Sequence, residues 1–169
     1  MNKSKKIYFF LGLLAMIISF SNVSFAQQNV GKVGVFFGSY GDIDAPEELS
    51  DLVLNTLNDP DVLPLPKWLK FVVSRLAFFF TKNDILEEYE AIGFGSNMRL
   101  NSQLQADLVA QKLRDEGYDA TGYRGFTMTF PYVEETLNQA QSDGVETLVV
   151  FYQGAQYSQV TAYIVFREV

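Results

Sequence analysis

The sequence predicts an α/β fold, a three-layer sandwich in which a parallel sheet carries helices on both faces. Three observations point there. Segments of strand length at Lys32–Phe37, Asp119–Phe126 and Thr147–Phe151, the first and third of them apolar, are separated by helical stretches. The third run, Thr-Leu-Val-Val-Phe, is continuously apolar, as expected of a strand buried on both faces. The first run ends in Gly38-Ser39-Tyr40-Gly41 and a helix start follows, the strand–turn–helix order of such folds.

Taken in order, residues 1–26 read as a signal peptide. Lys3, Lys5 and Lys6 form a positive start, Ile7–Phe20 an apolar run, and Ser24-Phe25-Ala26 a small-residue cleavage site before Gln27. The rival reading, an uncleaved membrane anchor, is less favoured because the run has 14 residues and spanning takes about 20. Export, with a periplasmic destination, is therefore expected, and 27–169 forms a single domain. After the first strand, Pro46-Glu47-Glu48 opens a helix with Leu49, Leu52, Val53, Thr56 and Leu57 at helical spacing, and Asn58-Asp59-Pro60-Asp61 ends it.

Val62-Leu63-Pro64-Leu65-Pro66 cannot be regular helix. Trp68–Phe80 then holds more apolar side chains than one buried stripe requires, which predicts a greasy face for a ligand, a membrane or a second chain. A polar-faced helix is expected from Asp84, broken at Gly93-Phe94-Gly95-Ser96-Asn97. Asn101 or Ser102 is expected to cap the next helix, with Leu104, Leu108, Ala110 and Leu113 facing the core and Gly117 closing it. Pro131 starts another helix that runs to Asp143-Gly144. Gln159–Val169 fits helix or strand, and its Val, Thr, Tyr and Ile favour strand.

Composition excludes several classes of function. Without Lys3, Lys5 and Lys6, the chain from Gln27 keeps 10 of its 13 basic residues against all 20 acidic ones. That balance argues against nucleic-acid binding. The absence of Cys removes disulfides, lipidated anchorage and thiolate chemistry. The absence of His rules out a Ser-His-Asp triad or a histidine metal site. Asp42, Asp44, Glu47 and Glu48 crowd one loop, but their spacing fits no calcium loop and suits a helix start better. Ligands of such sheets sit beyond the carboxyl ends of the strands. The loops at Gly38–Asp44, Phe126–Phe130 and Tyr152–Ser158 are thereby expected to surround one site.

Four blocks in order give a further reading. They are Val35–Leu49, Leu57-Asn58-Asp59-Pro60-Asp61-Val62-Leu63-Pro64-Leu65-Pro66, Tyr89-Glu90-Ala91-Ile92-Gly93-Phe94-Gly95-Ser96-Asn97 with Gln103 and Gln105 beyond it, and Gln156-Tyr157-Ser158. Their order and spacing resemble the N-terminal half of ferrochelatases. The resemblance implies a chelatase-like, flavodoxin-like half-domain in the haem-synthesis family, which inserts iron into porphyrin. It implies a tetrapyrrole partner, with porphyrin and Fe2+ as ligands. It places porphyrin-binding roles at Tyr40, Ser96, Tyr157 and Tyr163, and an apolar lip at Leu63, Leu65, Trp68 and Leu69 that in some members meets the membrane.

The departures from the family pattern are equally specific. The family's arginine in "Gly-[Met/Phe]-Arg-Tyr" is Thr127, which removes a natural partner for a propionate. The half that carries the family's His and Glu has no counterpart in this sequence. No catalytic residue is therefore assigned, the metal ligands stay unknown, and the chain alone is expected to be inactive and to need a second chelatase-half subunit. The alternative is a non-catalytic exported paralogue acting as a binding or structural protein.

Overall fold

The computed structural model describes residues 30–154 and 156–169. The proposed signal peptide and its cleavage site lie outside the described residues. Within Gly31–Val169, strand β1 (Val33–Ser39) is followed by a 3-10 turn at Pro46–Glu48 and helix α1 (Leu49–Asn58). Helices α2 (Lys67–Ile92) and α3 (Met98–Asp115) come next, then β2 (Ala120–Phe126), α4 (Val133–Ser142), β3 (Thr147–Tyr152) and α5 (Ala162–Glu168).

The strands form one parallel sheet in the order β2-β1-β3, with Val33 beside both Ala120 and Thr147. The period-2 alternation of β1 sorts its side chains between two cores. Phe36 packs with Tyr123, Val133, Ala140 and Val165 beneath α4 and α5. Val33 and Val35 pack with Ala110 and Ala120 beneath α3. The α/β class and the parallel sheet are thus as the sequence predicts.

Several local expectations are corrected. The apolar segment and the polar segment after Asp84 are one continuous 26-residue helix, because nothing between Lys67 and Ile92 breaks it. Helix α3 begins at Met98, not at Asn101 or Ser102. Asn97 precedes it with φ 56° and makes no side-chain cap bond. Ser102 is fully buried one turn inside, its hydroxyl donating to the Met98 carbonyl at 2.7 Å.

The face of α3 also differs. Leu104 and Leu108 are exposed, while Ser102, Ala106 and Ala110 meet the sheet. Small residues win because the backbones come close: a Cβ on Gly122 would lie 2.7 Å from the Ala106 carbonyl carbon. Strand β3 is an edge strand, not one buried on both faces. Its Leu148, Val150 and Tyr152 pack toward α4 and α5, but Val149 and Phe151 stay exposed on the α3 side, where Phe151 stacks on Phe37 at 4.9 Å.

The last segment is helix α5, not strand. Ala162, Ile164 and Val165 are buried at helical spacing, so packing overrides propensity. Helix α4 starts at Val133, two residues after Pro131, which follows a cis peptide bond from Phe130.

Candidate functional site

The loops after β1 and β2 are stitched together at the carboxyl end of the sheet. The Thr127 N–H donates to the Ser39 carbonyl at 3.2 Å, and the Met128 N–H to the Tyr40 carbonyl at 3.0 Å. From the third loop, the Gln153 N–H donates to the Gly38 carbonyl at 2.8 Å. Gly41 permits the turn, since its φ of 112° disfavours other residues and a Cβ would lie 2.5 Å from Thr129 Oγ1. That Thr129 hydroxyl is buried and has no hydrogen-bond partner.

The acidic loop ties down α2 and α3. Asp42 accepts from Tyr89 Oη at 3.0 Å, from the Ile43 N–H at 2.9 Å and from the Ser96 N–H at 3.3 Å. Burial works to raise the Asp42 carboxyl, but the bonds from Ser96, Ile43 and Tyr89 outweigh it and hold it below its ordinary range. Burial and the Asp42 charge push the Tyr89 phenol up to about 12. Arg99 donates bidentately to Glu48 at 2.8 Å and also reaches Asp44 at 3.0 Å and the Asp42 carbonyl at 3.0 Å. Among the described residues, no cluster of three metal-binding side chains occurs.

Beside this network lies a cavity of about 740 Å³ between the end of α1, the loop after β2 and the start of α4. Asn55, Asp59, Thr127, Tyr132, Glu134 and Glu168 are among its lining residues. Asn55 Nδ2 bridges the Met128 carbonyl at 2.9 Å and Tyr132 Oη at 3.2 Å. Asp59 is buried and pairs with Arg167 at 2.6 Å, while Arg167 also grips Asp61. Burial works to raise the Asp59 carboxyl, but Arg167 and the Asp61 N–H hold it below its usual range. Glu168 goes the other way: burial raises it, and although Arg167 works to lower it, Asp59 adds to the rise.

The residues expected to bind porphyrin fall in two groups. Tyr40 is half-buried, its hydroxyl donating to Thr56 Oγ1 at 2.7 Å. Burial raises its pKa against that bond, and Asp59 adds to the rise, so ligation of a metal by the phenolate would first require release from Thr56. Ser96 joins the Tyr40 loop through Asp42, and its Oγ accepts from the Met98 N–H at 3.3 Å. Tyr157 and Tyr163 lie beyond β3, both exposed, the Tyr163 N–H donating to the Ser158 carbonyl. Among the described residues, no hydrogen bond ties this pair to the Tyr40 network. Along the expected lip, Trp68 is 71% exposed and Leu63, Leu65 and Leu69 are half-buried.

Sequence reasoning missed the cavity. Asp59 reads as part of a helix stop, and nothing in the spacing of Glu134, Arg167 and Glu168 shows that they converge on it. It also missed Arg99, the residue that absorbs the acidic loop.

Comparison with known proteins completes the description. The family model for ferrochelatase matches residues 32–169. A ferrochelatase of Synechococcus elongatus is 31% identical over 139 residues, covering 82% of this chain and 36% of the relative. One of Trichormus variabilis is 31% identical over 144 residues with the same coverage. The chloroplastic ferrochelatase-2 of Oryza sativa subsp. indica is 30% identical over 147 residues, covering 84% of this chain and 28% of the relative. The chain thus spans about a third of the length of these relatives. Because the match runs through every strand and helix described above, the chain belongs to the ferrochelatase family.

Proposed function

We propose that this chain is the first half of a chelatase, binding a tetrapyrrole or its metal at the carboxyl end of the sheet and relying on a second chelatase half for catalysis. One observation carries it: the loops after β1 and β2 are bonded together beside a cavity of about 740 Å³, the place where α/β sheets of this kind hold ligands. Iron and porphyrin are the substrates in this reading. Metal insertion needs a base to take the pyrrole protons. With no His in the chain, that base comes from the second half. The apolar run from Leu63 to Phe80 is the lip, facing the porphyrin, the second subunit or a membrane.

Titration of the purified chain with a panel of porphyrins, followed by absorbance, tests the binding. The expected outcome is a shifted porphyrin band that saturates, without insertion of zinc or iron. No shift with any porphyrin rejects the binding, and metal insertion by the chain alone rejects the dependence on a second half.

A second reading is a non-catalytic exported paralogue that binds or supports something else. Thr127 favours it: the residue is buried, its hydroxyl donates to the Tyr40 carbonyl, and it offers a propionate no cation. Both readings place the chain in the periplasm after cleavage behind Ala26. Mass spectrometry of the native protein should find Gln27 first, and an intact Met1 in the cytoplasmic fraction would disprove export.

A further inference from the structure

The cavity between the end of α1, the loop after β2 and the start of α4 is one-sided in its charge. Asp59, Glu134 and Glu168 line it, and no Lys or Arg is among its described lining residues. Asp51 stands at its edge: burial raises the Tyr132 phenol, the bond from Asn55 works against that, and the Asp51 charge adds to the rise. The nearest cations are already engaged. Arg167 pairs with Asp59 at 2.6 Å, with Asp61, and with Glu168 at 3.6 Å. One guanidinium thus serves several carboxylates, and the cluster stays negative. Lys70 Nζ donates to the Asn58 carbonyl at 2.8 Å and lines a different cavity at the start of α2.

The hydrogen-bonding capacity of the wall has the same bias. Asn55 Nδ2 donates to the Met128 carbonyl and to Tyr132 Oη. Asn58 Nδ2 donates to the Leu54 carbonyl at 2.7 Å, and Thr127 Oγ1 to the Tyr40 carbonyl at 3.3 Å. The donors are turned to the protein's own oxygens, and carboxylate oxygens face the space. The charges also feel one another. Burial raises the Glu168 carboxyl, Arg167 works against that, and Asp59 and Glu134 add to the rise, as happens where like charges converge. An anion placed here finds no counter-charge and loses its water. Ammonium and pyrrole N–H groups are donors only, so the same wall suits them.

We propose that this cavity selects against carboxylates, and that the tetrapyrrole enters it by an edge that is uncharged or cationic. The inference rests on the tetrapyrrole reading above and names the class of tetrapyrrole: one whose carboxyl groups are absent, esterified, amidated or confined to the edge left outside. Glu134 in the first turn of α4 and Glu168 at the end of α5 set the preference. Neither belongs to the buried core, so each can be changed without disturbing the fold.

Two ligands with one frame and opposite charge test this. Coproporphyrin bears a carboxylate chain on every pyrrole ring, so any way of entering brings an anion into the cavity. Its complete amide with ethylenediamine carries an ammonium at each of the same places. Both are titrated into the full chain at about pH 8, where carboxyl groups are ionised, and followed by absorbance, with protoporphyrin alongside. The amine form should bind at least about tenfold more tightly than coproporphyrin, and added salt should narrow the gap. The chain as a whole is acidic, so general attraction has to be separated from the cavity. E134Q and E168Q should each narrow the gap by about threefold or more. E87Q and E88Q remove the same charge from the second half of α2, outside the lining of the cavity, and should leave the gap unchanged.

Equal affinity for the two ligands, or tighter binding of coproporphyrin, overturns the proposal while the tetrapyrrole reading stands. A gap that E87Q and E88Q narrow as much as E134Q and E168Q does the same. Binding of protoporphyrin alone also overturns it, because charge is then not what decides. No binding of any of the three rejects the tetrapyrrole reading and this inference with it.

Discussion

At Gly41 and Arg167, single residues hold the carboxyl end of the sheet in shape, and each makes a measurable claim. A methyl group on Gly41 meets Thr129 Oγ1 at 2.5 Å, and the φ of 112° resists any L side chain. Gly41→Ala should cost roughly 1–3 kcal/mol in urea unfolding. Adding Thr129→Ala should recover only the steric part, and a neutral Gly41→Ala would mean that the loop is not held as described. Arg167 compensates Asp59, whose side chain is 8% exposed. The folded pKa of Asp59 is depressed, so its stabilisation is present above the unfolded pKa of about 4 and is lost as pH falls through the folded value. Glu168 has the opposite sign: its raised folded pKa stabilises at low pH, and that contribution disappears as pH rises through it. Arg167→Ala should therefore cost about 1–3 kcal/mol at neutral pH, toward the low end because the guanidinium is partly solvated. The deficit should narrow as acid protonates Asp59. A deficit that stays constant even well below about pH 4 would show that Arg167 acts through packing.

At the scale of elements, the sequence was most legible where one physical signal dominated. Strands β1 and β3 follow from apolar runs and the helix after Pro46 from a proline–acid start, and all stand within a turn of expectation. The helix from Met98 departs from its apolar spacing in that Leu104 and Leu108 face solvent. The sheet takes Ala110 and Leu113 as expected, but beside them it selects Ser102 and Ala106, whose size, not hydrophobicity, lets two backbones approach. This distinction is testable. Ala106→Leu should destabilise by roughly 1–3 kcal/mol through overpacking, whereas Leu104→Ala or Leu108→Ala should stay within about 0.5 kcal/mol. Equal effects from both kinds of change would return the leucines to the core. Residues 159–169 were misjudged for a related reason, since burial of Val165 against β1 depends on partners that no local window contains. The candidate site was legible only in part: Tyr40 and Ser96 lie on one hydrogen-bonded network, but the cavity is assembled from Asn55, Asp59, Tyr132 and Glu168, remote in sequence and without a shared motif.

At the scale of the whole molecule, the sheet is covered on both faces over β1 and β2 but not over β3, where Val149 and Phe151 remain open. The rim has a rhythm in time as well as in space. The N–H groups of Thr147 and Gln153 point inward, to the carbonyls of Lys32 and Gly38, and the parallel ladder repeats every second residue. Val149 and Phe151 therefore share that direction, while the amides of Leu148, Val150 and Tyr152 face outward. Hydrogen–deuterium exchange resolved by residue should show alternation along six residues, with slow exchange at Val149 and Phe151 and fast exchange at Leu148, Val150 and Tyr152. If the fast set becomes as slow as its neighbours in the native extract, another strand has been laid along β3. The exchange pattern of three amides would then report a strand partner before any activity is measured.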